Sequence, residues 1–423
     1  MIQNSGRPSL SGNPLQAARL IEEAGRCVAC GLCVPHCPTY RKTLNEADSP
    51  RGRIFMMAAL LEQRLPLSPE VLQHLDLCLT CRACENACPS KVRYGWLVDG
   101  MRTWLEPQRQ RPSSQQRLRR VAFETLRHPQ RLKGAGWLLW AYQKSGLQQL
   151  VRKSGLLAAI GLKQPEALLP TLQKTRDLHG IHAASGVPRG TVALFLGCVA
   201  QLTDAPTLSA AIFILNRLGY SVDVPHAQTC CGALHQHNGA LDIALALANE
   251  NQRAFSIPGI QAILHAASGC AATLAEQAPP LPAPLLDIST FLNQAQGWEQ
   301  VKLAPLEHAI AVHEPCSSRN VLHDRSAAYQ LLQHIPGARI LPLAGNDQCC
   351  GAAGSYALAQ PEMADLLLRD KIEAIKASGA RIIATSNPGC AMHLVAGLRA
   401  EGMAIEVLHP ASLIARQMGY ENA

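Results

Sequence analysis

The chain has 423 residues, of which 48% are hydrophobic and 17% are charged, and its mean hydropathy is +0.02. This composition excludes a disordered chain, and the length excludes a small disulfide-stapled scaffold while allowing several domains. The formal net charge of +8 is concentrated in residues 101–160, which contain twelve Lys or Arg and only two Glu.

The sequence contains sixteen cysteines, eight before residue 100 and eight after residue 190. Residues Met1–Gly25 are predicted to be a polar lead into an amphipathic helix, without the pattern of an export signal. The longest charge-free stretch, Ala254–Ala275, is interrupted by Pro, Gln and His and is too polar to span a membrane. The thiols are therefore expected to be reduced, which favours metal or cofactor ligation over disulfides.

Residues 14–100 are predicted to form a small domain organised by a cofactor. Two cysteine motifs flank a helical stretch that begins at Pro50 and continues as the apolar run Ile54–Leu61. Both motifs have the spacing C-x2-C-x2-C-x3-C-P, in which three thiolates cap one cubane cluster and the fourth reaches the other cluster. One [4Fe–4S] cluster is therefore assigned to Cys27, Cys30, Cys33 and Cys88, and the second to Cys78, Cys81, Cys84 and Cys37. Structural zinc, the alternative, usually uses two separated pairs without a third cysteine at the same step.

Residues 101–190 are predicted to be a basic helical linker, because apolar residues recur there at helical spacing. Trp137, Trp140 and Tyr142 lie among the cations, a combination that favours docking on an anionic membrane surface. Solvated helix faces are the alternative. No nucleic-acid partner is predicted, since the stretch has neither an aromatic stacking platform nor a known fold signature.

From residue 191 onwards the sequence contains an internal repeat, with units 191–300 and 301–423. Each unit has a cysteine, then a Cys-Cys-Gly (CCG) triplet, then a further cysteine. The intervals are 31 and 38 residues in the first unit and 32 and 39 in the second, which indicates duplication. The tentative metal ligands are Cys198, Cys230, Cys231 and Cys270 in the first unit and Cys316, Cys349, Cys350 and Cys390 in the second.

Each repeat alternates β-rich runs with helical stretches, which predicts a βαβαβ unit with a parallel sheet. The predicted strands are Thr191–Leu196, Ser221–Val224, Ala262–Leu264, Ala309–Val312, Arg339–Leu343 and Arg381–Thr385, and the predicted helices 205–218, 239–254, 324–334 and 361–377. The cysteines then follow strand ends, where open α/β sheets gather ligands. The predicted fold class is mixed α+β and α/β: a helical two-cluster ferredoxin-type domain, a helical linker and duplicated CCG units.

Several histidines lie near these cysteines in the sequence. His235 and His237 follow the first CCG triplet and are candidate metal ligands or proton donors, with solvent-exposed loop histidines as the alternative. His313 and Glu314 precede Cys316 and are candidates for orienting a thiolate.

Two ferredoxin-type motifs followed by two CCG repeats resemble the iron–sulfur subunits that partner flavin dehydrogenases and disulfide reductases. The resemblance is greatest to the glycolate oxidase iron–sulfur subunit family and covers nearly the whole chain. Its segments are Cys78–Ser90, Val92–Gly95, Leu196–Val199, Cys230–Gly239, His313–Cys316 and Cys349–Tyr356.

The resemblance implies an electron-transfer subunit without catalytic residues of its own. Its partners would be an FAD-containing glycolate dehydrogenase subunit and a further flavin-domain subunit, and electrons would pass toward a membrane quinone or another respiratory acceptor. The implied location is cytoplasmic, at the inner face of the cytoplasmic membrane. The alternatives are the equivalent subunit of a lactate or anaerobic glycerol-3-phosphate dehydrogenase, a stand-alone disulfide reductase using a CCG site, and a scaffold protein with structural metals.

One departure from the wider group limits what the resemblance implies. The disulfide-reductase relatives end a repeat with C-x-x-C and build a non-cubane cluster with five cysteines. Here Cys270 is followed three places on by Thr273, and Cys390 by His393. Heterodisulfide reduction is therefore not implied. The CCG repeats could bind an additional iron–sulfur cluster, zinc or no ligand, and the sequence leaves these three alternatives open.

Overall fold

The computed structural model describes residues 14–155, 157, 162–173 and 177–421. These form two compact units. The first contains the described residues up to Leu118 together with Leu234–Asp242, and the second contains Arg119–Ala233 and the described residues from Ile243 onwards. Of the predicted polar lead, the part before Pro14 lies outside the described residues.

The first unit is helical, as predicted. Its helices are Pro14–Gly25, Pro38–Thr43, Pro50–Leu61, Pro69–Asp76, Ala83–Asn86 and Tyr94–Leu105, with short 3-10 turns at Val34–His36, Glu46–Asp48 and Glu106–Gln108. Ser49 caps the Pro50–Leu61 helix by accepting from the Gly52 backbone N–H at 3.0 Å. A Cβ on Gly52 would lie 2.0 Å from the Glu46 carbonyl oxygen, so only glycine fits this first turn. The core packs Leu20, Met57, Leu97, Met101 and Leu105.

Helices also occupy most of the described part of the predicted linker, at Ser113–Arg127, Pro129–Lys144, Leu147–Lys153 and Lys163–Ala167, but a strand, Gly180–His182, lies near its end where the sequence predicts helix. Leu132 is buried in an apolar cluster with Phe195 and Phe255 of the second unit. Trp137 of the same helix is 60% exposed. Among the described residues, no helix combines the length and apolarity needed to cross a bilayer.

The second unit contains two sheets. The first has the order β1-β3-β2-β4-β5, with β1 antiparallel to β3 and every other pair parallel. The second has the order β7-β6-β8-β9 and is entirely parallel. The strands are β1 Gly180–His182, β2 Gly190–Phe195, β3 Tyr220–Val224, β4 Ile260–His265, β5 Leu285–Asp287, β6 Ala309–Val312, β7 Arg339–Pro342, β8 Ile382–Ala384 and β9 Glu406–Leu408.

Helices cover these sheets, as parallel strands require. They are Cys198–Thr203, Ala205–Arg217, Leu241–Ala254, Ser268–Glu276 and Ile288–Gln294 in the first repeat, and Cys316–Asn320, Ala327–Leu332, Tyr356–Ala359, Pro361–Ser378, Pro388–Ala400 and Pro410–Gln417 in the second. The short helix Ala233–Gln236 lies mainly in the segment that belongs to the first unit. The six predicted strands and four predicted helices are confirmed. Each repeat also has a fourth parallel strand, β5 or β9, so the predicted βαβαβ unit was one strand short.

Candidate functional site

Two cavities in the first unit divide the eight N-terminal cysteines between them. One cavity is lined by Cys27, Cys30, Cys33 and Cys88, and also by Cys84. The other is lined by Cys37, Cys78, Cys81 and Cys84. The fourth cysteine of each motif therefore lines the cavity of the opposite motif, and the donors fit two thiolate-bound clusters.

Backbone turns of the same kind bend both motifs around their cavities. Ala29 and Gly31 have positive φ angles of 57° and 81°, and Thr80 and Arg82, at the equivalent places of the second motif, have 54° and 60°. Left-handed conformations at three non-glycine residues are costly and mark functional geometry. Alternating turns of this type direct backbone N–H groups toward a bound anion, which suits a cluster with negative charge.

The second cavity has a buried cation beside it. The Arg53 side chain is 1% exposed, and its guanidinium donates to the His74 carbonyl oxygen at 2.7 Å and to Thr39 Oγ1 at 3.0 Å. It also lies 3.5 Å from an Asp48 carboxylate oxygen and 3.8 Å from Cys37 Sγ. A fixed positive charge therefore contacts a cysteine of this cavity.

A second donor approaches the same cavity from the Tyr94–Leu105 helix. The hydroxyl of Tyr94, a buried side chain, donates to Cys78 Sγ at 3.6 Å. The first cavity is less enclosed, since Cys30 is exposed and Cys27, Cys33 and Cys88 are half-buried. The two cavities thus differ in both burial and hydrogen bonding, the two properties by which proteins tune cluster potentials.

Burial keeps several of these thiols protonated in the absence of a cation. Burial raises the pKa of Cys33 to about 11 and raises the pKa of Cys84 well above its ordinary value. A metal must therefore displace these protons when it binds, which couples binding to proton release. All sixteen cysteines, which lie in the described part of the chain, are free thiols.

The four cysteines of the first repeat converge beyond the carboxyl ends of β2, β3 and β4. The Sγ atoms of Cys198 and Cys230 are 3.2 Å apart. Thiol–thiol hydrogen bonding and burial raise the pKa values of Cys198 and Cys231, and the partners of Cys231 are Cys230 and Cys270. All four tentative ligands of this repeat are therefore in one connected cluster.

In the second repeat the cysteines converge at the equivalent strand ends, and a histidine joins them. Cys316 Sγ and Cys349 Sγ are 3.9 Å apart. Hydrogen bonds with Cys349 and Cys390, and the neighbouring His313, hold the pKa of Cys350 well below its ordinary value. The potential ligand atoms of His313, Cys350 and Cys390 all lie within 4.8 Å of one another.

Steric crowding explains why each CCG triplet ends in glycine. Gly232 and Gly351 have positive φ angles of 83° and 91°. A Cβ on Gly232 would lie 3.2 Å from Ala244 Cα, and one on Gly351 would lie 2.7 Å from the Ala364 carbonyl oxygen. Only glycine allows the paired cysteines to turn this close to the following helix.

The other histidine and acidic candidates have different partners. His237 Nδ1 is 2.9 Å from the Asp99 carboxylate within the first unit, and His235 in the same segment is buried. Glu314 accepts from the Tyr329 hydroxyl at 2.8 Å and pairs with Arg319 at 3.4 Å.

Sequence reasoning missed Arg53 and Tyr94 as cavity residues, and the only sequence signal for Arg53 is a charge inside an apolar helix.

Comparison with known families finds matches along most of the chain. Residues 23–92 match a 4Fe-4S dicluster domain, and residues 114–169 match the linker region of the glycolate oxidase iron-sulfur subunit. Residues 192–275 and 310–395 each match a cysteine-rich domain.

Curated relatives extend these matches to full length. A probable glycolate oxidase iron-sulfur subunit of Bacillus subtilis is 34% identical, with 94% of each chain covered. The glycolate oxidase iron-sulfur subunit of Escherichia coli is 31% identical, with 88% of this chain and 90% of the relative covered. One subunit of the dihydromethanophenazine:CoB–CoM heterodisulfide reductase of Methanosarcina barkeri is 24% identical over 97% of this chain and 98% of its own.

Among solved structures, a hypothetical protein from Helicobacter pylori aligns with 96% of this chain and 72% of its own, with a TM-score of 0.50 and 10% identity. At this identity the likeness concerns the fold alone.

Proposed function

We infer the function from the family, because this chain belongs to the glycolate oxidase iron–sulfur subunits. We propose that it is the electron-transferring subunit of a flavin-dependent glycolate dehydrogenase. The observation that carries the proposal is the pair of cavities in the first unit, each lined by three cysteines of one motif and by the fourth cysteine of the other motif. Iron–sulfur clusters accept and release single electrons when bound.

The ligand sets follow the cavities. Cys27, Cys30, Cys33 and Cys88 hold one [4Fe–4S] cluster, and Cys78, Cys81, Cys84 and Cys37 hold the other. The chain supplies thiolates, backbone donors and the buried guanidinium of Arg53, while the organic oxidation belongs to the flavin of a partner subunit. This chain therefore oxidises no glycolate by itself.

The first cavity opens to solvent beside apolar side chains, which suits an electron-transfer partner. Val28 and Leu32, on either side of the exposed Cys30, are 69% and 57% exposed. Apolar side chains that are exposed close together on a surface are typical of a protein–protein docking site. We place the flavin-bearing subunits against this rim.

The test is anaerobic purification of the chain with its attached proteins, followed by addition of glycolate. The complex should contain a flavin-bearing subunit, and glycolate should bleach the iron–sulfur absorbance only in the complex. Bleaching by lactate or glycerol 3-phosphate instead would assign the alternative dehydrogenases. Reduction of a disulfide substrate by the isolated chain would contradict the proposal and favour a thiol enzyme.

The basic linker helices are proposed to bring the chain to the cytoplasmic face of a membrane, where a quinone accepts the electrons. Trp137, Leu138 and Leu150 are 60%, 63% and 66% exposed among the cations of this segment. Apolar anchors with surrounding Lys and Arg are typical of peripheral binding to anionic lipid.

Replacing Arg117, Arg119 and Arg120 with glutamine should weaken binding to anionic vesicles, because each cation near the surface contributes about 1 kcal/mol. Raised salt should weaken binding of the unmodified chain as well, since the Debye length is about 10 Å at 0.1 M. Vesicle co-sedimentation at several salt concentrations measures both effects.

The matched control is glutamine at Arg325, Arg339 and Arg381, three exposed cations of the second repeat. It removes the same charge and should leave vesicle binding nearly unchanged. Equal loss in both triple variants would point to net charge alone, and insensitivity to salt would indicate docking through a protein partner.

We also propose that at least one of the two CCG repeats holds an additional iron–sulfur cluster or zinc. The support is the convergence of thiols in each repeat, at 3.2 Å between Cys198 and Cys230 and 3.9 Å between Cys316 and Cys349. Cys198, Cys230 and Cys349 are buried and Cys316 is half-buried, so most of the thiols give a metal a low-dielectric, water-poor shell. Elemental analysis tests this part of the proposal by measuring zinc, and any iron in excess of the amount that the two clusters of the first unit require.

A further inference from the structure

The two CCG repeats differ at a buried position beside their cysteines. Three residues before the first cysteine of each repeat stands Phe195 in the first and His313 in the second. Both side chains are 2% exposed. Phe195 packs in an apolar cluster with Cys198, whereas His313 lies against Cys350.

The imidazole of His313 has one partnered and one unpartnered nitrogen. Nδ1 is 2.9 Å from Thr385 Oγ1, and the buried Nε2 has no hydrogen-bond partner among the described residues. An unsatisfied buried polar atom is costly, and in a native structure it indicates a bound water, a bound ion or a functional role. His313 is in the same group of potential ligands as Cys350 and Cys390, and Nε2 is the ring nitrogen left available by the Thr385 contact.

A second buried difference lies on the helix that follows each triplet. The glycines of the triplets pack against Ala244 and Ala364, and the residues seven places further on are Asn251 and Lys371. Asn251 donates to the Cys230 carbonyl oxygen at 3.0 Å. Lys371, only 2% exposed, donates to the Gly345 carbonyl oxygen at 2.5 Å and interacts electrostatically with Cys349, Cys350 and Cys390.

We propose that the second repeat binds a zinc ion through His313 Nε2, Cys350, Cys390 and one of the two remaining thiols, Cys316 or Cys349. This deepens the proposal that the repeats hold metal, and it does not depend on the electron-transfer role of the first unit. The first repeat lacks the imidazole and the ammonium and is not an equivalent zinc site.

The chemistry of the donors fits zinc. Each thiol ligand gives up its proton to solvent, and neutral His313 supplies the Nε2 lone pair. Its Nδ1–H then donates to Thr385, which fixes the tautomer in the manner of other zinc-binding histidines. Three thiolates and one imidazole form a common tetrahedral zinc set.

Charge balance selects the second repeat over the first. Zinc with three thiolates and a neutral imidazole carries one negative charge, which the ammonium of Lys371 balances in a buried site. Zinc with the four thiolates of the first repeat would carry two negative charges, and Asn251 supplies no cation. Burying an unbalanced charge is strongly unfavourable, so the same metal binds less well there.

The experiment measures zinc and iron in the anaerobically purified full chain and in His313→Phe, which copies the first repeat. The unmodified chain should hold one zinc, and the variant should lose it or bind added Zn²⁺ at least tenfold more weakly in chelator competition. His313→Cys should restore zinc binding. When Co²⁺ replaces zinc in this variant, its sulfur-to-cobalt charge-transfer absorption should be stronger than in the unmodified chain. Lys371→Asn should weaken binding about tenfold, as for other outer-shell changes.

The matched control is His393→Phe, which removes another buried histidine of the same repeat whose Nε2 is 3.4 Å from the Ala364 carbonyl oxygen. It should keep its zinc. Equal zinc loss in both variants, no rescue by cysteine, or zinc that depends on Cys230 and Cys231 would overturn the proposal. The proposal would also be overturned if the purified protein contained no zinc and more iron than the about eight atoms that two [4Fe–4S] clusters require.

The same samples separate this proposal from the electron-transfer function. His313→Phe should keep about eight irons and the cluster absorbance, because its site lies in the second unit. Loss of iron in the unmodified chain would instead count against the proposed ligand sets of the first unit while leaving the zinc result interpretable.

Discussion

Replacing Arg53 with glutamine is expected to lower the free energy of unfolding by about 3–5 kcal/mol, because it breaks a buried ion pair and leaves the Asp48 carboxylate with His74 as its remaining ionisable partner. The Arg53 and Asp48 side chains are only 1% and 3% exposed. The guanidinium also provides the donors to Thr39 and to the His74 carbonyl oxygen. Anaerobic denaturant unfolding measures the change.

The same substitution should move the midpoint potential of one cluster to more negative values. The guanidinium lies 3.8 Å from Cys37 Sγ, and removal of a positive charge disfavours the reduced, more negative state. A spectroscopic redox titration should show the shift in the cluster of the Cys78 motif and leave the other largely unchanged. Equal shifts in both clusters would contradict a local electrostatic effect.

Two further variants keep this prediction testable if the glutamine variant folds poorly. Tyr94→Phe removes only the hydroxyl that donates to Cys78 Sγ at 3.6 Å, and should shift the same cluster in the same direction by a smaller amount. Arg64→Gln is the control, because Arg64 is 65% exposed and pairs with Glu62 at the surface. It should change stability by no more than about 0.5 kcal/mol and leave both potentials unchanged.

Cys37→Ser and Cys88→Ser should each abolish or convert the cluster of the opposite motif. Cys37 lines the cavity of the Cys78 motif, and Cys88 lines that of the Cys27 motif. Loss of one of four thiolates should reduce the iron bound at that cavity, with paramagnetic resonance spectra identifying which cluster has changed. The paired variants control each other, since both remove a fourth cysteine before a proline.

Damage confined to the substituted cysteine's own motif would contradict the exchanged assignment. In that case Cys37→Ser would alter the cluster of Cys27, Cys30 and Cys33 and spare the other. Iron loss from both cavities in both variants would indicate that the first unit folds only with both clusters bound. The paramagnetic resonance spectra of these variants would then no longer assign individual ligands.

Most of the secondary structure of the second unit was predictable because its signal is local. Strands such as β2 and β6 are short apolar runs followed by a cysteine and a helix, and burial on both faces keeps them apolar throughout. β1, β5 and β9 were not predicted, since each has three residues and lies at a sheet edge or beside one. Such short strands carry too little pattern, and their pairing depends on a sheet already in place.

The sequence by itself predicted the two [4Fe–4S] ligand sets of the N-terminal cysteines, because ligand spacing is set by the turns between neighbouring residues. It left the ligand of the CCG cysteines open. It also determined the duplication and the family. Only the tertiary structure decided which distant side chains approach the cysteines: the guanidinium of Arg53 beside Cys37 and the imidazole of His313 beside Cys350. It also decided that the ammonium of Lys371 is buried in the second repeat. Those contacts depend on which buried faces pack together, and in the sequence a buried cation looks the same as a solvated one.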